Sequence, residues 1–200
     1  MSTPSTATST ATWSEQSFQD ALQIIAEGLT ELVGFGMAVI SVRRDDRFVV
    51  VALAGADTAR RASGGQDSLA DILGASWPAS RLQRLLDVAE DWGRFKFVPH
   101  ERAPQGSWMW VREAEAVEGP DAWHPNDGAL APIHDAAGRL VGAISVDDPR
   151  TGRQPDAAQR RVMDRYAAQA AKVVLSALER EALERRLKLA ESTRQLIRTA

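Results

Sequence analysis

Gly138-Arg-Leu-Val-Gly-Ala-Ile-Ser-Val-Asp-Asp-Pro-Arg-Thr-Gly-Arg-Gln-Pro155 is the stretch on which the fold turns. A turn at Ala136–Arg139 leads into the apolar run Leu140–Val146, whose valines and isoleucine mark a buried strand. Asp147-Asp148-Pro149 is expected to stop that strand. Gly152 and Pro155 then prepare a helix with proline near its first position. A helical pattern of about forty residues follows. A last strand feeding a long helix is therefore the chain's closing unit.

Upstream, Thr12-Trp13-Ser14-Glu15 has capping-box spacing and predicts a helix start. Phe18, Leu22, Ile25, Leu29, Leu32 and Val33 recur at three- and four-residue intervals on one face, and Gly34 and Gly36 end the helix. Met37–Val42 and Arg47–Leu53 read as an antiparallel hairpin around charged Arg43–Asp46. Ala56–Gln66 reads as a loop, Ser68–Leu73 as a short helical turn and Pro78–Val88 as a helix with Leu82, Leu85 and Leu86 on one side. Arg94–Val98 and Asp127–Ile133 are further strands, separated by the long segment Pro99–Pro120. Segments of that length inside a compact domain tend to be functional.

The strand ending in GxxSVDDP, the RxGRxP loop and the Ala/Gln-rich helix RYAAQAAKVVLSALE resemble a GAF domain, as does the order of elements from Ser14 to Glu179. The resemblance implies an α+β fold. A central antiparallel sheet would carry the terminal helices on one face and a helical and loop cover on the other. A PAS domain, the nearest competitor, places its helices between strand pairs differently. The wording is similar to actinobacterial-type GAF regions that precede diguanylate cyclase (GGDEF), phosphodiesterase or further GAF modules. It implies a sensor that passes its state along a signalling helix to an output domain.

The search for catalytic motifs finds no Gly-x-Ser-x-Gly elbow, His-Glu-x-x-His helix or phosphate-binding loop. His100, His124 and His134 lie apart without ligand spacing, so no metal site is expected. Asp147 and Asp148 are read as turn and helix-capping residues. With no cysteine, disulfides, thiolate metal sites and cysteine-linked bilins are excluded, as is the methionine-sulfoxide reductase activity of some GAF enzymes. The Asn-Lys…Phe…Asp-Glu signature of cyclic-nucleotide-binding GAF domains is not found in order. Nothing singles out a haem-ligating histidine, and the cofactor is unknown.

The middle third is rich in large rings. Trp92, Phe95, Phe97, Trp108, Trp110 and Trp123 fall in the part that covers the pocket in GAF domains, with His100, Arg102, His124 and Asp127 as groups that would orient a flat ligand such as a nucleotide. The candidate ligand-binding set is Trp92, Phe97, His100, Trp108, Trp110, Trp123, His124 and Asp127. The same rings equally suit a structural role, holding down a segment poor in regular structure.

A formal charge of −3 argues against a nucleic-acid footprint. No apolar run approaches the ~20 residues that span a bilayer, and the Ser/Thr-rich start lacks a signal-peptide pattern. The cytoplasm is the expected compartment. The division expected is a disordered leader over 1–12, a GAF domain over 13–179 and a linker or coiled-coil helix over 180–200. Along the last helix Val162, Tyr166, Val173, Leu183, Leu187, Ala190 and Ile197 follow near-heptad spacing, beside a second seam of Leu175, Leu178, Ala182, Leu189 and Leu196. Continuous to Arg198, it would reach about 65 Å. A projecting helix of this kind wants a partner, and Leu183, Leu187, Ala190 and Ile197 are the expected contacts of a homodimer. A solvated, fraying tail is the alternative.

Overall fold

The computed structural model describes residues 7–55, 72–104, 118, 119 and 121–199, with side chains between 17 and 191. Helix α1 runs over Ala7–Gly28 and continues as a π-helical turn over Leu29–Val33. Its start lies inside the segment expected to be a disordered leader, upstream of Thr12. No glycine or proline interrupts residues 5–27, so the Ala/Ser/Thr stretch extends the helix rather than breaking it. Gly34 ends the turn at φ 94° and returns its N–H to the Leu29 carbonyl, a left-handed closure that glycine adopts without strain.

Among the described residues seven strands follow: β1 (Phe35–Arg44), β2 (Arg47–Ala54), β3 (Ser76–Pro78), β4 (Glu90–Trp92), β5 (Phe95–Val98), β6 (Gly128–His134) and β7 (Leu140–Pro149). They form one sheet in the order β3-β2-β1-β7-β6-β5-β4, every pairing antiparallel. The five expected strands are present. The three-residue edge strands β3 and β4 complete the sheet and are too short to show a period. Helix α2 (Ala79–Leu86) follows β3.

Strand β7 does not stop at Asp147-Asp148-Pro149. It continues along β1, pairing Asp147 with Met37 and Pro149 with Phe35, whereas its ladder with β6 ends at Val146. Beyond Val146 the strand has lost its β6 neighbour, and a proline is tolerated on such an edge. Asp148 sits at φ 55° beside Gly36, where any Cβ would collide with the Asp148 carboxylate.

Alternation assigns the two faces. On one, Leu22, Ile25, Ala26, Leu29 and Val33 join Met163, Ala167, Ala170 and Val174 of helix α3 (Ala157–Thr199) over Ala38, Ile40, Val42, Ala131, Ile133, Ile144 and Val146. The 4-3-4 spacing of the α3 residues is the helical period itself. Gly28 lets the two helices meet, since a Cβ there would lie 2.5 Å from the Tyr166 ring. On the other face α2 lays Leu82 and Leu85 on Phe48, Val98, Leu130 and Ala143. Met37, Val39, Val50, Leu53 and Ile72 form a neighbouring cluster. The expected layering, terminal helices on one side and cover on the other, is the layering found.

Helix α3 is set by Asp156, not by a first-turn proline. Gln159 N–H donates to Asp156 Oδ1 at 2.8 Å and Asp156 N–H to Gln159 Oε1 at 2.9 Å, a reciprocal cap with Pro155 just outside it. The helix has 43 residues, about 65 Å. Near its middle it is held to the body by Arg44, whose guanidinium meets the Glu181 carboxylate at 2.9 and 3.1 Å. From Leu183 to Glu191 every residue is exposed. Among the described residues no helix is long and apolar enough to cross a membrane.

Candidate functional site

The last pair of the β5–β6 ladder is Val98 with Gly128, so the segments leaving those strand ends lie side by side. One is the turn after Pro99, whose carbonyl accepts from Arg102 and Ala103 N–H at 3.0 and 3.1 Å. The other is His124-Pro125-Asn126-Asp127, a turn closed by Asp127 N–H donating to the His124 carbonyl at 2.8 Å, with proline at the position that favours it.

Asp127 joins the two. Its side chain is only 4% exposed. Oδ1 accepts from the His100 backbone N–H at 2.8 Å and faces His100 Nδ1 at 3.0 Å, while Oδ2 accepts from His124 N–H at 2.8 Å. The two imidazoles stack, centroids 3.6 Å apart and planes 15° from parallel. His124 Nδ1 accepts from Asn126 N–H at 3.1 Å, and Glu101 Oε2 lies 3.5 Å from His100 Nδ1. Asp127, His100 and His124, three of the expected ligand-binding residues, are thus one cluster. His100 and His124 do not lie apart as the sequence suggested; antiparallel pairing of strands thirty residues distant is what unites them. His134 is exposed at the far end of β6.

The aromatic members go elsewhere. Trp92 and Phe97 stack at 4.4 Å and 2°, Phe97 meets Trp123 at 5.6 Å, and Trp123 stands edge-on to Phe35 at 6.0 Å. Arg160 of α3 covers Trp92 at 3.7 Å. Trp123 Nε1–H donates to Asp147 Oδ1 at 3.0 Å. All three expected rings are buried in the core beneath the terminal helices, not on the covered face. The reason is register: Trp92 pairs with Phe95, and Phe95 and Phe97 are two residues apart, so all share one side of the sheet. Trp108 and Trp110 lie outside the described residues. Arg102 pairs with Glu90 at 3.3 Å instead of turning towards the cluster. Asp147 serves Trp123, and Asp148 donates its own N–H to Asp147 Oδ1 at 2.6 Å; helix capping falls to Asp156.

Sequence reasoning passed over Ser41. Its hydroxyl is fully buried at the centre of the covered face and has no hydrogen-bond partner among the described residues. Across the ladder stands Ala143, and Ser145, two residues further along β7, is only half-buried. Small side chains and an unanswered hydroxyl therefore sit at the middle of the sheet. Their signal in the sequence was faint, a serine within an otherwise apolar strand.

No family model matches the chain, and no curated protein matches it in sequence. Solved structures match it in fold. The GAF domain of an Acinetobacter phosphoenolpyruvate-protein phosphotransferase superposes with a TM-score of 0.55 at 12% identity, over 88% of this chain and 97% of that one. The corresponding domain from Coxiella burnetii gives 0.54 at 13%, over 82% and 86%. Residues 122 to 287 of a methyl-accepting chemotaxis protein give 0.51 at 16%, over 80% and 89%. The chain has the GAF fold.

Proposed function

We propose that this is a sensory, non-catalytic GAF domain of a cytoplasmic signalling protein. It binds a small ligand or partner on the covered face, pairs with a second copy, and passes its state through α3 to an output domain. The output suggested by the sequence resemblance is of the diguanylate cyclase type. The observation that carries this reading is α3: one continuous helix that forms part of the core and then leaves the body with Leu183 and Leu187 58% and 63% exposed. A helix that only completed a core would have no use for such a stripe. The buried Ser41 hydroxyl, without a partner among the described residues, supports a ligand on the covered face, because an unanswered buried polar group is costly and a ligand or water answers it.

A second reading is a ligand-free structural dimerisation module, favoured by how fully the Trp92, Phe97 and Trp123 rings fill the helix-side interior. A thermal-shift screen with nucleotides and metabolites separates the two. A hit that raises Tm in the intact chain, and whose effect is lost in Ser41→Val, supports sensing. A blank screen with a stable dimer supports the structural module.

A further inference from the structure

We infer that His100, His124 and Asp127 form a binding site for one borderline divalent metal ion, Zn2+ foremost, with Glu101 as its outer ligand. One nitrogen of each ring and a carboxylate oxygen already lie within 4.8 Å of one another. Donors on a four-coordinate Zn2+ stand about 3.3 Å apart when each bond is about 2.0–2.1 Å. His100 Nδ1 is 3.0 Å from Asp127 Oδ1 and 3.5 Å from Glu101 Oε2, spacings on either side of that value.

The protons fit as well. The hydrogen between His100 Nδ1 and Asp127 Oδ1 moves to Nε2 as the ring changes tautomer, and the cation takes its place. His124 Nδ1 accepts a hydrogen bond from Asn126 N–H, so it carries no proton, and a cation binding there takes the lone pair over from the Asn126 donor. Parallel rings cannot both aim at one ion, so coordination turns His124 out of the stack.

Asp127 is prepared for this role by the two backbone N–H groups that orient its oxygens, the supporting contacts that ligating carboxylates use. Among the described residues no lysine or arginine pairs with this buried carboxylate. Two imidazoles with carboxylates select Zn2+, Co2+ or Ni2+ over Mg2+ and Ca2+, which prefer all-oxygen sets. The two loop segments that carry the ligands lie on either side of residues 105–117 in the chain, so an ion would tie together the two ends of that stretch.

With no cysteine and only three histidines in the chain, the test is clean. Chelator-stripped full chain is titrated with ZnCl2 by calorimetry, and the imidazole signals are followed by NMR. The expected result is one Zn2+ per chain. His100→Gln and His124→Gln each weaken it by at least about tenfold. His134→Gln leaves it unchanged, and neither Mg2+ nor Ca2+ competes. In the unaltered chain the His100 and His124 signals shift while those of His134 stay, which decides the matter even if a variant fails to fold. Absence of binding at about 100 µM Zn2+ overturns the assignment. So does one ion per two chains, or a shift confined to His134.

Discussion

Replacing Leu183 and Leu187 together by serine tests the partner helix at its centre. Both lie beyond the Arg44–Glu181 contact and are 58% and 63% exposed. Full burial of a leucine is worth about 1.5–3 kcal/mol, so covering the exposed part is worth roughly 1–2 kcal/mol each. A two-fold pairing uses each residue twice, giving about 4–8 kcal/mol over four side chains. That corresponds to a dissociation constant raised by roughly 10³–10⁶, enough to abolish a micromolar dimer. Serine costs the helix itself only about 0.5 kcal/mol per site. Sedimentation equilibrium at tens of micromolar, with far-UV circular dichroism alongside, reads the outcome. The intact chain is expected to be a dimer, and the double variant a folded monomer with an unchanged unfolding midpoint measured at low concentration. By sequence spacing Arg180 falls on the same seam and would repel its copy across a parallel two-fold, so an antiparallel or staggered pairing is compatible with the same result. An intact chain that sediments as a monomer, or a double variant that dimerises as well as its parent, refutes the reasoning.

Trp123→Ala removes a side chain 5% exposed and leaves Asp147 without its indole donor; urea denaturation should show a loss of about 3–5 kcal/mol, and a loss under about 1 would place the ring outside the core. Gly28→Ala should destabilise the chain although alanine favours helix, because its Cβ meets the Tyr166 ring; Tyr166→Ala should remove that penalty in a double-mutant cycle of thermal melts. The carboxyl of Asp135 is held below its ordinary pKa, first by the Arg139 side chain and then by Arg139 N–H. A depressed carboxylate contributes stability that is present above its unfolded pKa and lost as pH falls through the folded one. Carboxyl NMR should therefore find Asp135 titrating low in the intact chain and nearer its ordinary value in Arg139→Ala.

Much of the architecture was legible because its signals are periodic. The α1 face buries Leu22, Ile25, Leu29 and Val33 as their spacing marks, although Leu32, on the closing π-helical turn, is left exposed, and the β-rich runs of β1, β2 and β7 supply most of the buried sheet. What escaped was decided at longer range. Asp147-Asp148-Pro149 carries every local mark of a stop, yet β1 is long enough to keep pairing with it. The aromatic cluster was read by its composition, whereas the side of the sheet it occupies depends on register with β4. The His100–Asp127–His124 cluster depends on two strand ends meeting, which no short-range spacing reveals.

Arg44 is three residues from Ser41 on the same strand, so β1 touches both layers of the domain: its middle faces the cover and its end holds α3 through Glu181. The clasp is 44% and 42% exposed, and ion pairs in such settings are worth about 0–1 kcal/mol. The long helix therefore has a stiff root, fixed by its cap and its buried face, and a weak catch near its midpoint. Beyond the catch 18 residues act as a lever of about 27 Å. A tilt of about 5° at the catch would carry the tip by roughly 2 Å, more than a third of a helical turn's rise. Releasing the catch costs so little that salt alone should loosen it.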